Sequence, residues 1–317
     1  MEPMNSPIQW KTENGSVQLL PERGRVLGIE LAGHEALWSP ATSDAPWNLG
    51  GERLWIGPEV DWFWQRVGKP DFSLYQVPAD LNPDRWTVTR RDADSCRGEI
   101  EVSLQCAHRD ARVRLGISRT FELVPASGIE SRGGLSFRIS TTLEILDGTA
   151  GQPVDLWSIL QVPFGGKMII PTVGSHVARD HFAPCPASEF TSSPGLLELK
   201  IGGPAMFKVG LAPHASTGRV AYARPIGCDW LVLERSFPLH PALRYCDSPM
   251  DLPDTQGDAL QFFNDDGSFG CFGEMEHRSP ALVCGEGPQT LTESTTTRVQ
   301  LLPEPGYIAW KAGFAAR

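Results

Sequence analysis

At 317 residues, 41% of them hydrophobic, the chain has ample apolar material for a packed core, which argues against a disordered or tail-like role. A formal net charge of -10 without any run of lysine or arginine argues against a nucleic-acid partner. No apolar stretch approaches the length of a membrane-crossing helix, and Met1–Trp10 carries neither a basic nor an apolar signal region, so a membrane partner is not expected. The seven cysteines are scattered, with no Cys-x-x-Cys pair, and fit reduced thiols in a cytoplasmic protein better than a disulfide framework.

Glycine (32) and proline (27) divide the chain into short segments that disfavour long helices. Alternation of apolar and polar residues predicts strands, in chain order, at Arg25–Leu31, His34–Trp38, Trp86–Arg90, Glu99–Cys106, Arg112–Leu123 and Leu135–Ile145. Further strands are expected at Leu156–Val162, Lys167–Pro171, Leu196–Ile201, Phe207–Leu211, Arg219–Ala223, Asp229–Ser236, Ala259–Asn264, Cys271–His277 and Thr290–Leu302. Ala32-Gly33-His34 and Asp265-Asp266-Gly267 read as hairpin turns. Arg119 interrupts the apolar row of its strand and is expected to mark a bulge or a strand end, with a charge aimed into a pocket as the alternative. Ser175–Pro194 reads as a long loop over a sheet face, and only a weak helical turn is visible near Ile308–Ala315. With no internal repeat and no linker, over a dozen strands imply one all-β domain spanning residues 1–317, a large antiparallel β-sandwich.

Three clusters carry candidate chemistry. Glu274 and Glu276 alternate on one strand with Phe272, so their side chains leave the same face, about 6.5–7 Å apart along the backbone. Acid/base work on a polar ligand accounts for two carboxylates beside an apolar side chain, and a solvated strand face is the plainer alternative. Regular alternation sends His277 to the opposite face. The run Asn48–Glu59 joins two glycines to Arg53, Trp55 and Glu59, with Trp47, Trp62 and Trp64 nearby; a guanidinium fork beside indole faces suits a sugar, and a glycine turn feeding an edge strand is the alternative. In Leu156–Lys167, Trp157 and Gln161 share a face, which sets an aromatic platform beside an amide unless Trp157 is simply core, and Lys167 follows a Gly-Gly hairpin signal. His176 and His181 in the long loop are the candidate histidines for an acid role, or else ordinary surface residues. Metal-ligand spacings, a nucleophile elbow and a phosphate-cradling glycine loop are absent from the sequence, so no metal and no cofactor are expected.

The order of these clusters resembles the galactose mutarotase-like superfamily, the aldose 1-epimerase fold. Gly24–Trp38 looks like that family's entry strands, and Leu260–Phe263 with Phe272–Glu276 is similar to its closing hairpin, where a Gln-aromatic strand precedes the catalytic Glu strand. Gly50–Glu59 looks more like uncharacterised members of the superfamily than like true mutarotases. The resemblance implies a β-supersandwich whose concave face binds a small-molecule carbohydrate, in a monomer or homodimer. It makes Glu274 the base, with Glu276 beside it, and Arg53 the substrate-gripping residue. It also exposes a departure: where the family has its catalytic histidine, this chain has Trp157-Ser-Ile-Leu-Gln161, and tryptophan cannot donate the proton. Either His176, His181 or Lys167 replaces it, or the chemistry differs: a sugar hydrolase or lyase using the paired glutamates, or a non-catalytic carbohydrate-binding protein.

Overall fold

The computed structural model describes residues 7–40, 48–68, 71–81, 85–125, 134–174, 178–249, 252 and 255–316. Two large antiparallel sheets face each other. The first runs through Ile8–Lys11, Gly15–Leu20, Arg25–Leu31, Glu52–Gly57, Pro153–Pro163, Phe272–Arg278, Leu260–Asn264, Phe207–Leu211 and Arg179–Asp180, with the short strands His34–Glu35 and Leu282–Val283 attached beside this path. The second runs through Phe190–Ser193, Leu196–Ile201, Gly166–Pro171, Arg219–Ile226, Asp229–Ser236, Thr290–Pro303, Gly134–Gly148, Arg112–Val124, Ser95–Gln105 and Thr87–Arg91. Their inner faces share one apolar core that includes Val26, Leu160, Phe262 and Met275 from the first sheet, and Phe121, Phe137 and Tyr222 from the second. This is the sandwich solution to burying one face of each sheet.

The predicted strands appear with most ends shifted by no more than a few residues, and the departures have local causes. Chain entry adds the hairpin Ile8–Lys11 and Gly15–Leu20, which alternation had not singled out. His34–Trp38 is a strand only over His34–Glu35, because Trp38 turns to exchange backbone bonds with Gln161 and Gly51. Glu52–Gly57 is an interior strand rather than an edge one. Its entry needs both glycines: Gly50 and Gly51 lie at φ 77° and 72°, and a Cβ on either would stand 2.3 Å from the Trp38 carbonyl oxygen or 2.2 Å from that of Val26. Within the long loop, Arg179–Asp180 and Phe190–Ser193 are strands, while residues 175–177 lie outside the described residues. Glu304–Ala315 is a full helix that lays Tyr307 and Phe314 on the outer face of the second sheet, Tyr307 stacking on Trp230 at 4.0 Å.

Arg119 is neither at a bulge nor at a strand end. The register around it is regular, and its side chain enters the space between the sheets, where Nη2 donates to Glu52 Oε1 at 2.7 Å and Nη1 to the Gly24 carbonyl at 2.6 Å. The Ser158 hydroxyl also donates to that Glu52 oxygen at 2.9 Å, and Arg235 donates to Ser158 at 3.0 Å. Burial alone would raise the Glu52 pKa, but Arg119 and Arg235 outweigh it and hold it below its ordinary value. The apolar core is thus pinned across its middle by one carboxylate and two guanidinium groups, all with essentially no exposure.

Removing one partner of such a buried cluster leaves an uncompensated charge and costs about 3–5 kcal/mol. Urea denaturation of Arg119→Ala is expected to show a loss of that size, partly restored by adding Glu52→Gln. A loss below about 1 kcal/mol would contradict the pairing.

Candidate functional site

Pro153–Pro163 is the strand on which the site is built. It is flanked by Glu52–Gly57 on one side and Phe272–Arg278 on the other, with Trp157 opposite Trp55 and Arg278, Ile159 opposite Arg53 and Glu276, and Gln161 opposite Glu274. Residues directly opposed across a ladder share a face, so Arg53, Trp55, Trp157, Gln161, Glu274 and Glu276 all leave the side of the sheet away from the shared core. The next two strands add Phe263, opposite Glu274, and Lys208, opposite Phe263.

A small cavity of about 70 Å³ opens on this face, lined by Arg53, Trp55, Glu59, Trp157, Lys208 and the two carboxylates, Glu274 and Glu276. Aromatic rings complete it: Phe72, Tyr75, Phe182, Phe263, Phe269 and Phe272. The loop carrying Phe269 is fixed by the buried Asp265 carboxylate, which accepts from the backbone N–H groups of Phe269, Gly270 and Cys271. That cap is what the predicted Asp-Asp-Gly turn becomes.

The two glutamates are held differently. Glu274 Oε1 accepts from Arg53 Nη2 at 2.8 Å and from Gln161 Nε2 at 2.9 Å, and Gln161 also donates to Asn48 Oδ1. Arg53 itself lies over the Trp55 ring at 4.1 Å. Glu276 Oε2 accepts from the Trp157 indole N–H at 2.6 Å and faces Lys208 Nζ at 3.1 Å, while its Oε1 is buried with no hydrogen-bond partner among the described residues. Burial raises the Glu276 pKa above the ordinary glutamate value; Lys208 opposes this and the neighbouring Glu274 adds to it. Lys208 also donates to Glu59 Oε2 at 2.9 Å. Burial would lower its pKa, but Glu276 and Glu59 outweigh burial and raise it, so the side chain stays an ammonium.

Trp157 joins this group to a deeper one. Lys208 and Arg278 lie over its ring at 4.5 and 4.3 Å. Arg278 is in turn ion-paired with Asp155 and Asp247, each at 3.0 Å, and Asp247 accepts from the Glu59 backbone N–H and from Gln261. The indole thus packs against two cations while its N–H donates to Glu276.

Other expected residues are placed elsewhere. Lys167 sits on the second sheet, paired with Glu198 at 2.7 Å, and does not line this cavity. His181 does not line the cavity; its Nε2 lies 2.8 Å from Asp258 Oδ2, at the far edge of the first sheet. His176 and Trp47 lie outside the described residues. His277 points into the sandwich as alternation predicts, stacked on Phe237 at 4.4 Å, and burial lowers its pKa well below the ordinary histidine value. Lys208 was missed. Its strand was foreseen, and alternation along Phe207-Lys-Val-Gly-Leu211 already puts the lysine on the face opposite the core residues, which is the signal that could have found it. Among the described residues one set of metal-ligand atoms lies close together, Asp61, Cys106 and His108, but Asp61 is already engaged by Arg109 and Gln152 and the set lines no part of this cavity.

Comparison with known proteins finds no matching family model and no matching curated protein. Solved structures do match. One is from Escherichia coli K12, assigned provisionally as an aldose 1-epimerase, at TM-score 0.59 and 13% identity, covering 94% of this chain and 99% of that one. Another is a galactose mutarotase-like protein from Lactobacillus casei, at TM-score 0.51 and 13% identity, covering 93% and 100%. A third is a galactose mutarotase related enzyme from Lactobacillus acidophilus, at TM-score 0.53 and 8% identity, covering 94% and 99%. The chain has the galactose mutarotase-like fold. At these identities the likeness concerns the fold of the supersandwich, and the site has to be argued from its own residues.

Lys208 is the residue whose loss should be most visible without substrate. A carboxyl whose folded pKa lies above its unfolded value loses stability as pH rises from about 4.5 through the folded value, because the folded state holds the proton longer. Lys208→Met removes the opposing charge and raises the Glu276 pKa further, so the urea midpoint should fall more steeply as pH rises above about 4.5 in the variant than in the wild type. Parallel pH profiles would show that Glu276 does not depend on Lys208.

Proposed function

We propose that this protein binds a reducing sugar in the cavity and interconverts its anomers by acid–base catalysis, without metal or cofactor. The observation that carries the reading is the pair of carboxylates on one strand, both lining the cavity and held in contrasting surroundings, one by Arg53 and Gln161 and the other by Lys208 and Trp157. Two acids whose environments are set apart supply a base and an acid at the same pH.

In this mechanism Glu274 takes the proton of the C1 hydroxyl while the Glu276 carboxyl gives its proton to the ring oxygen. The C1–O bond of the ring breaks, the free aldehyde rotates about the C1–C2 bond, and reclosure on the other face returns both protons. The raised Glu276 pKa favours the protonated donor this step needs, and Oε1, which has no hydrogen-bond partner among the described residues, is the oxygen free to carry the proton. Trp157 takes no part in proton transfer. Its N–H and the Lys208 ammonium both engage the other carboxyl oxygen, which leaves Oε1 to bear the proton. Glu276 thereby does the work the family resemblance assigned to a histidine. The fold likeness to proteins described as galactose mutarotase-like supports the choice of a sugar.

The test is NMR magnetisation exchange between the α and β anomers of D-glucose and D-galactose. The wild type should accelerate exchange; Glu274→Gln should abolish the acceleration, and Glu276→Gln should reduce it by about 10²–10⁴-fold. The rate should fall as pH rises through the Glu276 pKa. Full activity in Glu274→Gln would remove the base assignment. Cleavage of an oligosaccharide instead of exchange would make the pair a hydrolase, and binding without turnover a carbohydrate-binding protein.

A further inference from the structure

The cavity is unusual for a sugar site in what surrounds its carboxylates. Recognition of several hydroxyl groups calls for several amides, hydroxyls and carboxylates directed at the ligand. Here the charged groups of the lining are gathered on the floor, where Arg53, Glu59, Lys208, Glu274 and Glu276 are engaged with one another or with their supports. Among the described residues the remainder of the wall is aromatic, and five of its rings belong to phenylalanine, which carries no hydrogen-bonding atom. The five come from separate stretches of chain: Phe72 from the segment after the short Glu59–Trp62 helix, Phe182 from the long connection, Phe263 from its strand, and Phe269 and Phe272 from either end of the Asp265 loop.

They form a continuous surface. Phe72 meets Phe182 edge-on at 5.4 Å and Phe269 at 6.0 Å; Phe182 reaches Phe263 at 6.2 Å, and Phe263 reaches Phe272 at 6.0 Å. The outer members are the ones open to solvent: Phe72 is 36% exposed, and Phe182 and Phe269 are half-buried, while Phe263 and Phe272 are buried near the carboxylates. Aromatic surface thus runs without a break from the acid pair to solvent. Such a surface gains little from sugar hydroxyls and much from an apolar group laid against it.

We propose that the ligand is an aldose bearing an apolar substituent, aryl, alkyl or acyl, on an oxygen other than that of C1. The inference rests on the acid–base reading of the same site, which requires a free C1 hydroxyl over Glu274 and so sends the substituent outward along the phenylalanine wall.

The experiment is isothermal titration calorimetry of the full chain with D-glucose, D-galactose and their 6-O-benzyl ethers, alongside anomer-exchange rates for all four. The benzyl ethers should bind at least tenfold more tightly than the parent sugars, and Phe72→Ala and Phe182→Ala should each shrink that ratio to below about threefold. Phe72 is exposed enough that its removal leaves the core intact, and the wild-type ratio stands without either variant. Parent sugars that bind as tightly as their ethers, with exchange accelerated, would overturn the proposal and leave the epimerase reading standing. Ethers that bind preferentially without exchange would support the wall and remove the epimerase. Absence of binding by all four would overturn both.

Discussion

The register of Pro153–Pro163 against its two neighbours is the constraint from which the rest of the open face follows. A strand places alternate side chains on opposite faces, so shifting either pairing by one residue would exchange the inner and outer sets. In the observed register Arg53, Trp157, Gln161, Glu274 and Glu276 lie on the cavity side of the sheet, and Leu54, Ser158, Leu160, Met275 and His277 face the other sheet. The inner set is where the register is enforced. Leu160 and Met275 belong to the shared core, and Ser158 is locked to Glu52 and Arg235. A slip would strand the Glu52 carboxylate and two guanidinium groups without partners in a space closed to water, a penalty of several kcal/mol per charge. The charged core cluster and the acid pair are thus consequences of one ladder read from its two sides.

On the cavity side, buried carboxylates again have cations for partners. Lys208 serves Glu276 and Glu59, Arg53 serves Glu274, and Arg278 serves Asp155 and Asp247. Trp157 links the groups, donating to Glu276 while two cations rest on its ring. The tryptophan at the position where the family resemblance places a histidine therefore has a defined role as a support. It donates to a carboxyl whose pKa burial raises, and in the proposed mechanism that carboxyl takes the place of the imidazole.

Much of this was legible in the sequence because alternation along a strand is a local signal. Glu274 and Glu276 share a face for that reason, and His277 opposes them for the same reason. The glycine pair before Arg53 was visible as a close backbone approach, but whether the strand it enters lies at an edge or in the interior depends on which strands pair with it, and that is a long-range fact. Arg119 shows the limit most plainly: an arginine in an apolar row looks like a break in the strand until Glu52, a partner from the opposite sheet, is known. Lys208 was obscured likewise, its partners Glu59 and Glu276 lying far off in sequence. Lys167 drew notice through its Gly-Gly neighbours, which describe a hairpin and carry no information about the cavity.

The central claim is that Glu274 and Glu276 work on one bound sugar from the same strand. A crystal structure of the protein soaked with D-galactose or D-glucose tests it most directly. The account predicts a pyranose ring on the cavity floor, its C1 hydroxyl within hydrogen-bond distance of Glu274 and its ring oxygen facing the Glu276 carboxyl. A sugar bound away from both carboxylates, or with its C1 hydroxyl turned out toward the phenylalanine wall, would contradict it.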